Sequence, residues 1–229
     1  MEAMTLIQKI ITWDNLIFMV KGAGYSLAIA IGALVFGTIL GILGAAGKIS
    51  KYKALRLLAS TYVELIRGTP MLLQILFIFL GFPTIYHSLT GAYIRLNPYL
   101  VGLVAMSINS GAYTTELIRS GIMSIDKGQW EACKTLGLTY TQMMRFVILP
   151  QAFKQIVPPL VSEFIVLIKD SSLISAIGAV ELLQSASVLG NYYYNYIIPL
   201  VMASVMYLIM TVTISYFARK LERRLAASD

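Results

Sequence analysis

The chain has 229 residues, a formal net charge of +7 and a mean hydropathy of +0.75; 58% of its residues are hydrophobic and only 13% are charged. A soluble domain of this length needs more charge to cover its surface, so this composition excludes one. One cysteine excludes an intrachain disulfide, and the single His87 cannot form a metal site alone. The basic residues lie in short clusters beside apolar segments, which argues against nucleic acid as a partner.

Long apolar segments predict an all-α integral membrane protein. Residues 22–47 and 68–94 contain no charged side chain, and each stretch exceeds the roughly 20 residues that cross a bilayer as a helix. The predicted membrane helices span residues 22–47, 55–81, 98–120, 155–182 and 196–218. We treat residues 1–229 as a single membrane domain.

Proline and glycine predict where these helices bend or stop. Pro70 lies inside the second predicted helix and should kink it. Pro158 and Pro159 should break the chain before the fourth helix or mark its start. Gly81, Pro83 and Gly91 predict a loop over residues 82–97.

Basic residues in the connecting segments predict the orientation. Thirteen Lys and Arg residues fall in one set of loops and at the C-terminus, against three on the opposite side. Because basic loops stay in the cytoplasm, the N-terminus should lie outside and the C-terminus inside, which agrees with five crossings. This predicts a multi-pass protein of the plasma membrane whose polar loop, about residues 121–154, faces the cytoplasm.

That polar loop has the pattern of two short helices. Asp126 with Gln129 and Thr139 with Gln142 are both capping-box pairs, and Gly137 suits a left-handed helix end. Small side chains at Ala132 and Cys133 should let another protein approach closely, and Pro150 should limit the second helix. Composition alone favours an ordinary helical hairpin that links the third and fourth predicted helices.

The loop resembles the Glu-Ala-Ala loop of ABC importer permeases. Five residues match that motif in register: Glu131, Ala132, Gly137, Leu149 and Pro150. Cys133 replaces the second alanine, and Val147 replaces the usual isoleucine. Residues 62–70 with Gln74, 112–121 and 169–173 resemble segments of the polar amino acid branch of the same family.

The resemblance implies several partners. They are a dimer of a separate ATPase that docks on the loop, a second permease subunit of the same or a similar chain, and an extracytoplasmic amino-acid-binding protein. ATP and Mg²⁺ would be bound by the ATPase, so this chain would carry no cofactor, catalytic residue or metal. The implied cargo is a polar amino acid.

Ionisable groups inside the predicted helices need a reason, because each costs roughly 2.5–3.5 kcal/mol on insertion. Glu64 with Arg67, and Glu116 with Arg119, are spaced to pair on one helix face. Glu163 has no basic residue within four positions. It could receive a cationic cargo group, it could pair with a basic residue such as Lys169 or, from another helix, Arg67, or it could be protonated.

The candidate cargo residues cluster on the second, third and fourth predicted helices. Asn109 and Ser110 offer uncharged donors and acceptors for the backbone groups of an amino acid, although a helix–helix hydrogen bond explains them equally well. Asp170 follows Glu163 by seven residues and shares nearly the same face. The substrate-binding candidates are Arg67, Asn109, Ser110, Ser162, Glu163 and Asp170.

These observations predict an ATP-driven amino acid importer permease that works by alternating access, with a bias toward basic cargo. The alternative is a secondary transporter that uses the same carboxylates as ion sites. A membrane enzyme is disfavoured because no catalytic motif is present. The crossing count and the loop argue against the membrane half of an exporter.

Overall fold

The computed structural model of the chain describes residues 7–226, and all regular structure in that range is helical. From residue 13 on, the α-helices are α1 (Trp13–Ile49), α2 (Lys53–Arg67), α3 (Met71–Leu76), α4 (Phe82–Thr90), α5 (Pro98–Met123), α6 (Lys127–Thr135), α7 (Tyr140–Met143), α8 (Leu149–Asp170), α9 (Leu182–Tyr193) and α10 (Ile197–Ala226). Two π-helical turns, Phe77–Gly81 and Met144–Ile148, join α3 to α4 and α7 to α8. A 3₁₀ helix, Ser171–Ile177, follows α8.

The first helix is longer than predicted and packs closely on α5. Thr12 caps it by accepting a hydrogen bond from the Asn15 amide, which extends it nine residues before the predicted start at residue 22. A Cβ built on Gly37 would lie 2.8 Å from Ser110, and one on Gly41 would lie 2.5 Å from Thr114. Side chains at these glycines would therefore push α1 off α5.

The second predicted helix, 55–81, is two helices. Helix α2 ends at Arg67, and Pro70 caps the start of α3 with an extended backbone. Pro70 is thus a helix start and not a kink, because proline disfavours helical geometry in the residue before it. The loop predicted over residues 82–97 is also wrong in its first part, since α4 continues to Thr90 and ends at left-handed Gly91.

The fourth predicted helix, 155–182, is broken as well. Helix α8 ends at Asp170, and left-handed Gly178 separates the 3₁₀ helix from α9. Pro158 and Pro159 lie inside α8 and do not break it. They remove two N–H donors, but the turns on both sides keep the helix intact.

Helix α9 begins at a buried carboxylate that the sequence did not single out. Glu181 is fully buried and accepts hydrogen bonds from the amides of Leu183 and Gln184. The hydroxyls of Ser26 on α1 and Tyr207 on α10 donate to the same carboxylate at 3.1 and 2.8 Å. Four donors offset the cost of burying the charge and tie three helices together.

Three described helical segments are long and apolar enough to cross a membrane: Trp13–Ile49, Met71–Thr90 and Ile197–Arg224. Helix α5 packs against α1, α2 and α8 and buries several polar residues. Its buried polar residues include Ser110, Thr114 and Thr115. Interior helices of a membrane protein can be polar because they face protein and not lipid.

Candidate functional site

A pocket of about 510 Å³ lies where the break between α2 and α3 meets α5 and α8. Its lining residues are Arg67, Gly68, Thr69, Pro70, Met71, Asn109, Tyr113, Glu163, Val166, Leu167 and Asp170. Four of the six predicted cargo residues, Arg67, Asn109, Glu163 and Asp170, therefore meet in one place. Ser110 and Ser162 do not line the pocket, although each adjoins a residue that does.

A glutamine amide holds the helix break against α5. The Gln74 Nε2 donates to the carbonyl oxygens of Ile66 and Thr69 at 2.8 and 3.1 Å and to the Thr69 hydroxyl at 2.9 Å, which ties the end of α2 to α3. Its Oε1 accepts a hydrogen bond of 3.1 Å from Asn109 Nδ2. Asn109, which is 8% exposed, is therefore fixed in orientation at the pocket wall.

Arg67 does not pair with Glu64 as its spacing suggested. Its guanidinium lies 5.0 Å from the centre of the Tyr113 ring, a cation–π contact between α2 and α5. Glu116 instead forms ion pairs with Lys48 and with Arg119. The Glu116–Arg119 pair was expected from the sequence, and its second partner, Lys48, comes from α1.

The two acidic residues of the pocket have no basic partner at ion-pair distance in the described chain. The alternatives in which Glu163 pairs with Arg67 or Lys169 are therefore not realised. Glu163 and Asp170 line the same pocket. The buried Ser110 hydroxyl is near Glu163 but completes no hydrogen bond there. Two carboxylates face one guanidinium across this pocket.

Tyr113, Thr69 and Met71 also line the pocket, and sequence reasoning did not select them. Tyr113 follows Asn109 by four residues, which puts both side chains on one face of α5. That spacing was a usable signal. Thr69 and Met71 gave none, because they reach the pocket only through the unpredicted break between α2 and α3.

The predicted coupling loop forms an exposed helical corner. Asp126 caps α6 by accepting from the Gly128 amide at 2.7 Å, and Thr139 with Gln142 forms a complete capping box. Gly137 has φ +70°, and Leu138 donates to the Cys133 carbonyl oxygen, a Schellman turn that ends α6. Pro150 does not limit a second helix; it lies in the first turn of α8.

The five motif residues of this corner are all exposed: Glu131, Ala132, Gly137, Leu149 and Pro150. Cys133 is the exception to the predicted contact surface. It is buried against Ile122, Ile148 and Ala152, so it anchors α6 to α5 and α8 and is not open to a partner. No cluster of metal-ligating residues occurs among residues 7–226.

Comparison with known proteins decides the family. Residues 34–227 match the family described as binding-protein-dependent transport system inner membrane component. The chain belongs to this family. It is therefore an inner-membrane transport component, and the alternative of a secondary transporter is set aside.

Relatives of known name cover nearly the whole chain. A putative glutamine transport system permease protein of Rickettsia bellii is 39% identical over 93% of this chain and 95% of its own length. The arginine transport system permease protein of Bacillus subtilis is 36% identical over 93% of this chain and 94% of its own. The L-cystine transport system permease protein of the same bacterium is 40% identical over 89% and 85%.

A solved structure shares the fold closely. The crystal structure of an amino acid ABC transporter with histidines contains a chain 38% identical to this one, with a TM-score of 0.84 over 90% of this chain and 94% of that one. A methionine ABC transporter in inward-facing conformations gives a TM-score of 0.75 at 21% identity, over 94% of this chain and 99% of that one, and shows the fold alone.

Proposed function

We propose that this chain is the permease subunit of an ATP-driven amino acid importer whose cargo is basic. The observation that carries the proposal is the pocket at the α2–α3 break, where Glu163 and Asp170 lack a basic partner. Names of the relatives support an amino acid as cargo. The pocket has two carboxyl groups and one guanidinium, which supports arginine, lysine or histidine as cargo over a neutral amino acid.

Each pocket group has a part in binding such a cargo. The guanidinium or ammonium of the side chain would bind Glu163 and Asp170 through charge-assisted hydrogen bonds. The cargo's own carboxylate would meet Arg67, which Tyr113 holds in position. Asn109, and Ser110 after a small movement of α5, would bind the remaining backbone groups. Ser162 does not line the pocket and would affect cargo binding only through its neighbour Glu163.

The proposed topology has five crossings: α1, α3 with α4, α5, α8 with α9, and α10. The N-terminus is outside and the C-terminus is in the cytoplasm, as the thirteen-to-three bias of basic residues supports. All 229 residues belong to one membrane domain. The helical corner from α6 to the start of α8 then faces the cytoplasm.

The proposed partners are an ATPase dimer, a second permease subunit and an extracytoplasmic amino-acid-binding protein. Glu131, Ala132, Gly137, Leu149 and Pro150 form the ATPase contact surface. ATP and Mg²⁺ belong to the ATPase, and this chain performs no chemistry. The rest of the membrane domain's surface contacts the lipid bilayer. Nucleic acid is not a proposed partner.

A packed route connects the corner to the pocket. Cys133 and Trp130 of α6 pack on Ile122 of α5 and on Ala152 of α8. These two helices carry Asn109 and Glu163 into the pocket. A shift of α6 by the ATPase would therefore move both walls of the pocket, which biases inward-open against inward-closed states.

The purified complex with its ATPase and binding protein tests the cargo. ATP hydrolysis is measured with arginine, lysine, histidine, glutamine and cystine in turn. We expect the three basic amino acids to stimulate hydrolysis most. Stronger stimulation by glutamine or cystine would reject the basic cargo and retain the importer.

A further inference from the structure

A second and larger cavity, of about 1110 Å³, lies between the second half of α1, the end of α5 and the first half of α8. It shares no lining residue with the cargo pocket. This volume is at the upper end of the range for small-molecule pockets, roughly 300–1,000 Å³. The site can therefore hold a large ligand.

The walls of this groove are apolar along most of their length. They include Ile42, Ala46, Ile118, Phe153 and Leu160. No acidic residue lines it, so it lacks the feature that suits the first pocket to a basic amino acid. Apart from Thr38 and Thr114, its polar side chains lie at one end, where Ser50, Lys51 and Tyr52 follow α1 and Tyr140 begins α7.

That end is also basic. Lys51 forms no ion pair in the described chain, and its ammonium lies 5.4 Å from the centre of the Tyr52 ring. Arg56 is turned toward the same segment, donating to the carbonyl oxygens of Ser50 and Lys51 at 3.0 and 3.3 Å. Lys48 is different, because Glu116 neutralises it.

We infer that this groove binds one anionic phospholipid of the cytoplasmic leaflet. The acyl chains would lie along the apolar walls, and the headgroup phosphate would contact Lys51. Basic pockets between membrane helices on the cytoplasmic side have this chemistry. The inference rests on the proposed orientation, which puts residues 50–52 at the inner surface of the bilayer.

A lipid in this position would touch the moving parts of the transporter. Ile122 and Met144 line the groove and also pack in the cluster that holds α6. The lipid would thus fill the space between α1 and the helical corner. Anionic lipid should therefore strengthen the coupling of ATP hydrolysis to transport.

Native mass spectrometry of the intact transporter tests the site. The complex is released from vesicles of equal phosphatidylglycerol and phosphatidylcholine, and the retained lipids are counted. We expect Lys51→Ala to lower the retained ratio of phosphatidylglycerol to phosphatidylcholine about fivefold. Lys53→Ala removes the same charge outside the groove and should leave the ratio nearly unchanged. An equal fall of the ratio in both variants would mean that general surface charge causes the effect, and it would overturn the proposed lipid site.

A groove-filling substitution gives a second, charge-independent test. Ala46→Trp places a ring in the groove, whereas Leu43→Trp places the same ring on exposed α1 surface outside it. We expect only Ala46→Trp to lower phosphatidylglycerol retention; retention unchanged by it would overturn the proposal.

The competing occupant is a second copy of this chain. The variant Ala46→Cys in a Cys133→Ser background tests this alternative. A disulfide between two permease chains at this position would show that a second copy occupies the groove, and it would contradict the lipid proposal. Lipid retention requires no transport, so it can fail or succeed independently of the cargo assignment.

Discussion

Glu163 is the residue on which the cargo assignment depends most. It lies in a pocket with Asp170 and has no basic partner in the described chain. A cationic cargo would stabilise the ionised form of this carboxyl group, and a neutral cargo would not.

We expect Glu163→Gln to lower arginine transport at least about tenfold, equivalent to about 1.4 kcal/mol, with little change in basal ATP hydrolysis. Radiolabelled uptake beside a melting curve measures both effects. Gln155→Ala is the matched control, because this exposed side chain of α8 lies outside the pocket lining. A stable Glu163→Gln variant with normal arginine uptake would remove Glu163 from the site.

A second residue-scale prediction concerns the ion cluster of Lys48, Glu116 and Arg119. The Glu116 side chain is only 18% exposed, and it bridges the ends of α1 and α5. Lys48→Met leaves this carboxylate half-paired, which should destabilise the protein by about 2 kcal/mol.

Thermal unfolding in detergent measures the loss, and Lys53→Met, an exposed charge nearby, should cost almost nothing. Adding Glu116→Gln to Lys48→Met should recover part of the stability. A melting temperature that falls further in the double variant would contradict a paired role for Glu116.

At the scale of elements, Gly137 ends α6 in a left-handed conformation that most residues avoid. We expect Gly137→Val to strain this turn, displace Glu131 and Ala132, and detach the ATPase while the membrane helices stay folded. Gly137→Asn is the control, because asparagine tolerates left-handed geometry. Co-purification of the ATPase reports the result. Full binding and transport by Gly137→Val would show that the corner does not depend on this turn.

The sequence predicted the elements that have strong local signals. The apolar run of α1, the caps at Asp126 and Thr139, and left-handed Gly137 all follow from short-range patterns. The breaks between helices were harder to predict from the sequence. Across the break before α3, Gln74 binds the carbonyl oxygens of Ile66 and Thr69, and at the start of α9, hydroxyls from two distant helices reach Glu181. Neither set of contacts can be recognised from a short stretch of sequence.

The same limit applies to the pocket. Arg67, Asn109, Glu163 and Asp170 were selected because polar residues in apolar helices need a reason, and that rule works without knowing the fold. Thr69, Met71 and the contact between Arg67 and Tyr113 depend on how three helices meet. No single-helix pattern contains that information.

At the scale of the whole molecule, the orientation can be tested by labelling. Cys133 is buried and would resist a reagent on either side, so an exposed site must replace it. In a Cys133→Ser background we expect Thr90→Cys to react with an impermeant thiol reagent in sealed cells. Leu136→Cys, at a position that is 76% exposed, should react only after the membrane is opened. The reverse pattern would invert the topology and move the proposed ATPase surface outside.

Arginine uptake into proteoliposomes tests the central claim most directly. The complete transporter is reconstituted with ATP on the cytoplasmic side, binding protein on the other, and ionophores that remove every ion gradient. The proposed function predicts uptake that requires ATP, favours arginine over glutamine, and loses that preference in Glu163→Gln. Uptake that needs a gradient and ignores ATP, or a wild-type preference for glutamine that Glu163→Gln leaves intact, would contradict it.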